Sequence, residues 1–340
     1  MKIALFGTGR MGRTIVYMLQ QLGDHTIHSW DTEERGVHGN PHTACKIEDI
    51  ASIDKGFDLV ISALPYHLNF NLAKLCIETK IPYCDLGGSV PVSDNINELA
   101  EQRGATVFTD LGLAPGWANI LAEESLRKTP EVPHTIKMRC GGLPVKVADP
   151  QTDPFNYRLT WSTEGLYNEY MDRSNLLEDG NIISVPSLSR SESVDIEGFG
   201  VLEAFTTSGG ASHTLTRMQE RGVKNCSYKT LRYPGHLDLM VYFLCNRKFK
   251  AASMSDLFAT GPYCEDVVIV EVEALCEDLS YRDTKAVYGK DGYTAMQRAT
   301  AGGLVSAILA SPLDHGSSLT YADIDIDLFN DNMDKLAIVS

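Results

Sequence analysis

Short unbroken apolar runs alternate with segments of helical periodicity over the first third of the chain. Ile3-Ala4-Leu5-Phe6, Leu59-Val60-Ile61 within Asp58 to Ser62, and Pro82 to Asp85 are too short for helices and too continuous for half-exposed strands. They predict strands of a parallel sheet buried on both faces. Between them Met11, Ile15, Met18, Leu19 and Leu22 repeat at helical spacing, which predicts a helix over Arg13 to Leu22. Leu68, Leu72, Leu75 and Cys76 do the same for a helix from about His67 to Lys80. Thr26 to Trp30, closing on Asp31, reads as the second strand, and Thr106 to Thr109 as a later one. Asp94 is expected to cap a helix ending near Gln102. The fold class is therefore α/β, a doubly wound parallel sheet with ligands expected beyond the carboxyl ends of its strands.

The rhythm changes near Trp117. A helix to Lys128 and a strand over Thr135 to Cys140 lead into Gly, Pro and aromatic-rich loops from Gly141 to Pro154, and mixed strand and turn continue to about Glu273. This predicts an inserted α+β domain over residues 119–293. The small-residue-rich helix Thr294 to Leu309 should return to the first domain, residues 1–118, which the segment 294–340 completes.

The join between first strand and first helix carries chemistry. Gly7-Thr8-Gly9-Arg10-Met11-Gly12 is a G-x-G-x-x-G loop between a strand and a helix, the arrangement that cradles a dinucleotide pyrophosphate in a Rossmann domain. Gly7 suits the tight turn, Gly9 the close approach of phosphate, and Gly12 the packing of helix on strand. Asp31, about 20 residues downstream, can accept bonds from a ribose diol and would repel a 2′-phosphate, so the expected cofactor is NAD rather than NADP. Glu33 and Glu34 keep this strand end acidic, and only Arg35 could serve a phosphate. Ala63, Leu64 and Pro65 after the central strand, and Gly87 and Gly112 in later turns, complete the predicted cofactor contacts.

Composition narrows the partners. The 340 residues carry a formal charge of −15 without a basic run, which argues against nucleic acid, and no stretch is long and apolar enough to span a bilayer. Met1-Lys2-Ile3 enters the first strand directly, so a soluble, cytoplasmic protein is expected. Cysteines at 45, 76, 84, 140, 226, 245, 264 and 276 form no C-x-x-C pair and are expected as free thiols. His25/His28 and His38/His42 are the close histidine pairs, and neither has the partners a metal site requires.

Longer motifs follow one another along the chain: Asp85-Leu86-Gly87-Gly88, Asp110 to Gly116 (Asp-Leu-Gly-Leu-Ala-Pro-Gly), Gly141-Gly142-Leu143-Pro144, Val185 to Ser189, Leu202 to Gly210, Tyr228 to His236, and Thr294 to Thr300. In this order they resemble the saccharopine dehydrogenase family, and within it the L-lysine 6-dehydrogenases. The resemblance implies a Rossmann domain with an inserted catalytic domain, a homodimer, and NAD-dependent oxidation of the lysine ε-amine to allysine and ammonia. It brings His236 and Gly141 into the expected substrate contacts. Saccharopine-forming members carry Asp in a G-L-D-P-G motif where this chain has Ala114, whereas Cys140 matches the saccharopine-reductase pattern and joins the catalytic candidates. Reduction of an imine joining two amino compounds, of the saccharopine reductase or carboxynorspermidine dehydrogenase type, and a non-catalytic NAD(H)-binding regulator are the alternatives.

Hydride transfer from an amine requires neutral nitrogen, and the reference pKa of a lysine amine is about 10.4, so a proton must be taken. Asp85, Tyr66 and His67, at the ends of central strands, are the candidates. Arg232 is expected to hold the substrate carboxylate through its guanidinium fork, with Thr206, Thr207 and Ser208 offering further donors.

Overall fold

The computed structural model describes residues 1–339 apart from 35, 38, 51–52, 150–152 and 259–264, and the side chains of 255 and 256 are likewise undescribed. Arg35, His38 and Cys264 thus lie outside the described residues. The chain divides into two compact units, Met1–Ile120 with Gln297–Ile338, and Leu121–Met296 with Val339–Ser340.

The first unit is built on strands β1 (Lys2–Phe6), β2 (Thr26–Asp31), β3 (His42–Ala44), β4 (Leu59–Ser62), β5 (Tyr83–Asp85) and β6 (Val107–Phe108). All pair in parallel in the order β3-β2-β1-β4-β5-β6, the doubly wound arrangement expected from the sequence. Its connecting helices are α1 (Arg10–Leu22), α2 (Tyr66–Thr79) and α3 (Val90–Arg103), with α4 (Trp117–Lys128) following β6. Leu59, Val60 and Ile61 are wholly buried, as a central strand covered on both faces must be. Each such side chain contributes roughly 1.5–3 kcal/mol relative to exposure.

Two local expectations need correction here. Asp94 lies inside α3, which begins at Val90 after Ser89 and has Pro91 in its first turn, where a missing N–H costs nothing. Strand β3 was not foreseen: it is a three-residue, polar edge strand with no apolar alternation to betray it.

The second unit holds an eight-stranded mixed sheet. Its elements are β7 (Thr135–Pro144), α5 (Thr163–Met171), β8 (Arg173–Glu178), β9 (Asn181–Pro186), β10 (Glu192–Ile196), β11 (Gly200–Thr206), α6 (Thr214–Glu220), β12 (Asn225–Arg232), α7 (His236–Met240), α8 (Ala251–Phe258), β13 (Asp266–Leu275) and β14 (Ser280–Tyr288). The main path runs β10-β11-β12-β7-β13-β14, with β8 pairing to β12 and β9. β7 continues through Gly141 to Pro144, where a loop was expected. The glycine is what permits it: a Cβ at Gly141 would stand 2.4 Å from the Leu231 carbonyl oxygen of the neighbouring strand.

One face of this sheet carries an ion network. Arg139 Nη1 meets Glu271 Oε1 at 2.6 Å, both side chains almost fully buried, and the guanidinium also reaches Glu192 and Glu273. Arg282 supports Glu271 from β14 at 3.1 Å. Helices α9 (Ala295–Leu309) and α10 (Ile326–Lys335) complete the elements, and the residues from Gln297 to Ile338 belong to the first unit. No helix among the described residues is long and apolar enough to cross a membrane. The described cysteines are all free.

Candidate active site

In the first unit, the carboxyl ends of the strands bring the predicted nucleotide residues together. Gly7 has φ +95°, and a Cβ there would meet the Ala63 carbonyl oxygen at 2.6 Å. A Cβ on Gly12 would stand 1.9 Å from the Gly7 carbonyl oxygen, so only glycine lets α1 start this close to the loop. Gly9 precedes α1 without a side-chain cap, and a Cβ there would meet nothing within 4 Å. The amides of Arg10, Met11 and Gly12 open the helix where N–H groups have no intrahelical partner, beside open space that suits a dinucleotide pyrophosphate.

Asp31 ties this loop to β2. Its Oδ2 accepts from Thr8 N at 2.6 Å and Thr8 Oγ1 at 3.0 Å. Partial burial pushes the carboxyl upward, but the hydrogen bonds from Thr8, Glu33 and Thr32 outweigh it and hold its pKa below the ordinary value, so Asp31 stays anionic. Leu64 N approaches Ser62 Oγ at 3.4 Å, and Pro65 precedes α2. Gly112 is buried and tightly packed: a Cβ there would press on the Leu86 and Pro115 carbonyl oxygens.

The proton-accepting candidates of this unit fare unequally. Asp85 is 1% exposed, and both its oxygens are engaged: Oδ1 accepts from Gly87 N at 2.8 Å and Asp110 N at 3.1 Å, Oδ2 from Tyr83 Oη at 2.9 Å. Burial, and then the charge of Asp110, push it up to about 7. Its bonds shape the turn. Tyr66 packs beside Gly88, whose added Cβ would meet the tyrosine Cβ at 3.1 Å. His67 is exposed and stands edge-on to the Tyr66 ring.

The second unit holds a buried polar cluster around Arg232, which is 3% exposed at the end of β12. Its guanidinium lies 4.5 Å from the centre of the Tyr157 ring, Nη1 donates to the Leu231 carbonyl at 2.8 Å, and Nε donates to Tyr170 Oη at 3.1 Å. His236 Nδ1 lies 3.2 Å from the Phe155 carbonyl, which can only accept, so Nδ1 carries the proton. Its Nε2 then accepts from Tyr170 Oη at 3.1 Å. Burial, and then the charge of Arg232, push His236 down to about 3, which keeps the imidazole neutral. Glu203 fixes this turn by accepting from Gly235 N and Leu237 N at 3.2 and 2.6 Å. His236 is thus an internal brace for Arg232 through Tyr170, fully buried among aromatic rings.

The same packing engages other residues of the predicted site. Thr206 Oγ1 lies within hydrogen-bond distance of the Pro186 and Ser189 carbonyls and so holds a neighbouring turn. Thr207 Oγ1 pairs with Thr230 Oγ1 at 2.8 Å, and both are buried. Ser208 donates its backbone N–H to the Glu169 carbonyl at 2.9 Å. Gly141 is the packing glycine of β7. Cys140 is 4% exposed, and burial pushes its thiol up to about 12, so it is neither an effective acid nor a ready thiolate.

Glu169, Tyr157 and Tyr170 were not singled out in the sequence. Glu169 retains accessible surface on α5, yet desolvation pushes its carboxyl up to about 8 against the lowering influence of Arg232. No side chain among the described residues bonds to that carboxyl. Among those residues no group of three His, Cys, Asp or Glu side chains is placed to hold a metal.

Comparison with known proteins gives each of these clusters a context. Residues 3–109 match the family model described as saccharopine dehydrogenase NADP binding domain, and residues 112–316 match saccharopine dehydrogenase C-terminal domain. The chain is 33% identical over 196 residues to alpha-aminoadipic semialdehyde synthase, mitochondrial, from Bos taurus, covering 54% of this chain and 21% of that protein. It is 24% identical over 195 residues to saccharopine dehydrogenase [NADP(+), L-glutamate-forming] from Pyricularia oryzae, covering 54% of this chain and 43% of that one. The aligned regions therefore span less than half of either relative. Among solved structures, the apo histidine-tagged saccharopine dehydrogenase (L-Glu forming) from Saccharomyces cerevisiae superposes with a TM-score of 0.74 at 16% identity, covering 99% of this chain and 98% of that one.

Proposed function

The chain belongs to the saccharopine dehydrogenase family, and from that premise we propose that it oxidises the ε-amine of L-lysine with NAD. The products are allysine, which cyclises to 1-piperideine-6-carboxylate, together with ammonia and NADH. The observation that carries this reading is the charge content of the second unit's polar cluster. Arg232 is the cation that acts on Cys140, Tyr157, Glu169, Tyr170 and His236. One guanidinium suits a substrate with one carboxylate, whereas saccharopine carries three. Ala114, standing where saccharopine-forming members have Asp, supports the same choice.

A bound dinucleotide supplies the acceptor for the hydride leaving C6. The residues of the chain do the remaining work. The glycine loop and the amides opening α1 hold the pyrophosphate. Asp31, ionised and rigidly bonded to Thr8, favours a ribose diol over a 2′-phosphate, which supports NAD. Arg232, fixed by Tyr170 and Tyr157, holds the carboxylate and so orients the far amine. Water adds to the resulting iminium carbon and ammonia departs. Assembly as a homodimer is part of the proposal, and sedimentation equilibrium tests it.

The likeness to the fungal saccharopine dehydrogenase [NADP(+), L-glutamate-forming] favours a second reading, NADP-linked saccharopine chemistry. Parallel assays separate the two: lysine with NAD, saccharopine with NADP, and glutamate plus allysine with NADPH. Turnover confined to the first pair supports the proposal, and turnover confined to the others replaces it.

A further inference from the structure

We infer that Glu169 takes the proton from the substrate ammonium, generating the neutral amine that gives up hydride. The inference rests on the lysine reading and deepens it. Its basis is a contrast in how the two buried acid clusters spend their hydrogen bonds. In the first unit Asp85 has both oxygens filled by Gly87, Asp110 and Tyr83 and almost no accessible surface. In the second unit, the Arg232 guanidinium, Tyr170 hydroxyl and His236 imidazole lock one another, and Thr207 pairs with Thr230. Glu169 alone in this group combines accessible surface with a carboxyl that no described side chain engages.

Its position fits the task. The groups on which its charge acts are Arg232 and Tyr228 from β12, Cys140 from β7, Tyr157 from the segment before α5, and Tyr170 from its own helix. The Ser208 amide holds its backbone carbonyl, so the end of α5 is tied to the Thr207–Ser208 segment. The buried phenols and the thiol stay protonated and the imidazole neutral, leaving Glu169 as the negative group that can receive a proton. An amine of pKa about 10.4 transfers its proton to an ordinary glutamate with an equilibrium about 10⁶-fold unfavourable. With the carboxyl raised to about 8 the deficit falls to about 10²-fold. In the step, the ammonium N–H bond breaks and its proton passes to a Glu169 oxygen. The freed lone pair then forms the C=N bond as hydride leaves C6 for the oxidised nicotinamide.

The test is the pH profile of lysine-dependent NADH formation in the wild type, Glu169→Gln and Glu169→Asp, with NADH affinity and thermal melts as controls for folding. The wild-type kcat/KM should rise tenfold per pH unit up to about 8 and then level. Glu169→Gln should lose at least about 100-fold in kcat and that limb with it, keep its NADH affinity, and retain only a residual rate that follows the free amine. Glu169→Asp should recover part of the rate and a shifted limb. A Gln variant with wild-type kcat and an intact limb overturns the inference while the lysine reading stands, as does a rise in KM alone, which would make Glu169 an ammonium-binding group. A wild type inert toward lysine but active on saccharopine overturns both. If Glu169→Gln does not fold, ¹³C titration of the wild-type glutamate carboxyls decides: one titrating near 8 supports the inference, and none above about 5 overturns it.

Discussion

Asp85→Asn separates a structural carboxylate from a catalytic one. The substitution keeps the shape of the side chain, and its carbonyl can still accept from Gly87 and Asp110 while the amide faces the Tyr83 hydroxyl. What it removes is a charge forced into an apolar, anion-rich site, where burial and Asp110 raise the carboxyl from 3.8 to about 7. The folded chain holds this proton more tightly than the unfolded one. Its contribution to stability is therefore complete below about pH 4 and is lost as the pH rises to about 7, remaining flat beyond. The gap corresponds to about 4 kcal/mol at most. For a unit of this size, 1 kcal/mol shifts the melting temperature by about 2–4 °C, so the Asn variant should melt on the order of 10 °C higher at pH 8 and near the wild type at pH 4. Thermal melts from pH 4 to 9 measure the difference, and turnover should stay within a few-fold. A variant that folds and binds NADH but loses turnover by several orders of magnitude would refute the reasoning and restore Asp85 as the base.

Three other substitutions probe separate parts of the molecule. Gly12→Ala places a methyl against the Gly7 backbone at 1.9 Å, so NADH affinity, followed by fluorescence, should fall at least about tenfold; unchanged affinity would show that the loop can yield. Arg232→Lys loses the bond to Tyr170 and the planar fork, and should raise the KM for lysine more than about tenfold while leaving that for the diamine lacking the carboxylate unchanged. Arg139→Met leaves buried Glu271 with Arg282 and the Thr284 hydroxyl as its remaining partners, and should cost about 3 kcal/mol in urea denaturation; no change would mean that these two suffice.

What could be read from the chain depended on how local the cause was. The glycine loop, the apolar runs of β1 and β4 and the helix over Trp117–Lys128 are set by neighbouring residues, and the structure has them where the pattern placed them. Gly141 misled because a glycine in a Gly-Gly-Leu-Pro run looks like a turn, while its actual cause is the Leu231 carbonyl of another strand. Asp85 was noticed for its place at a strand end, but its role follows from burial and from an amide donated by Asp110, 25 residues away. Glu169 carries no motif at all. Its neighbours come from β7, β12 and the segment before α5, and Tyr170 beside it reaches Arg232 across 62 residues, so only the folded chain reveals its surroundings. Arg232 was legible because a cation embedded in a run ending in Pro-Gly-His invites a binding role; its brace of Tyr170 and His236 was not.

Purified protein supplied with L-lysine and NAD, with NADH and ammonia followed together, probes the amine-oxidation reading at its root. The account predicts equal amounts of the two products and little activity with NADP or saccharopine. NADH formed from saccharopine and not from lysine, or without ammonia, would contradict it.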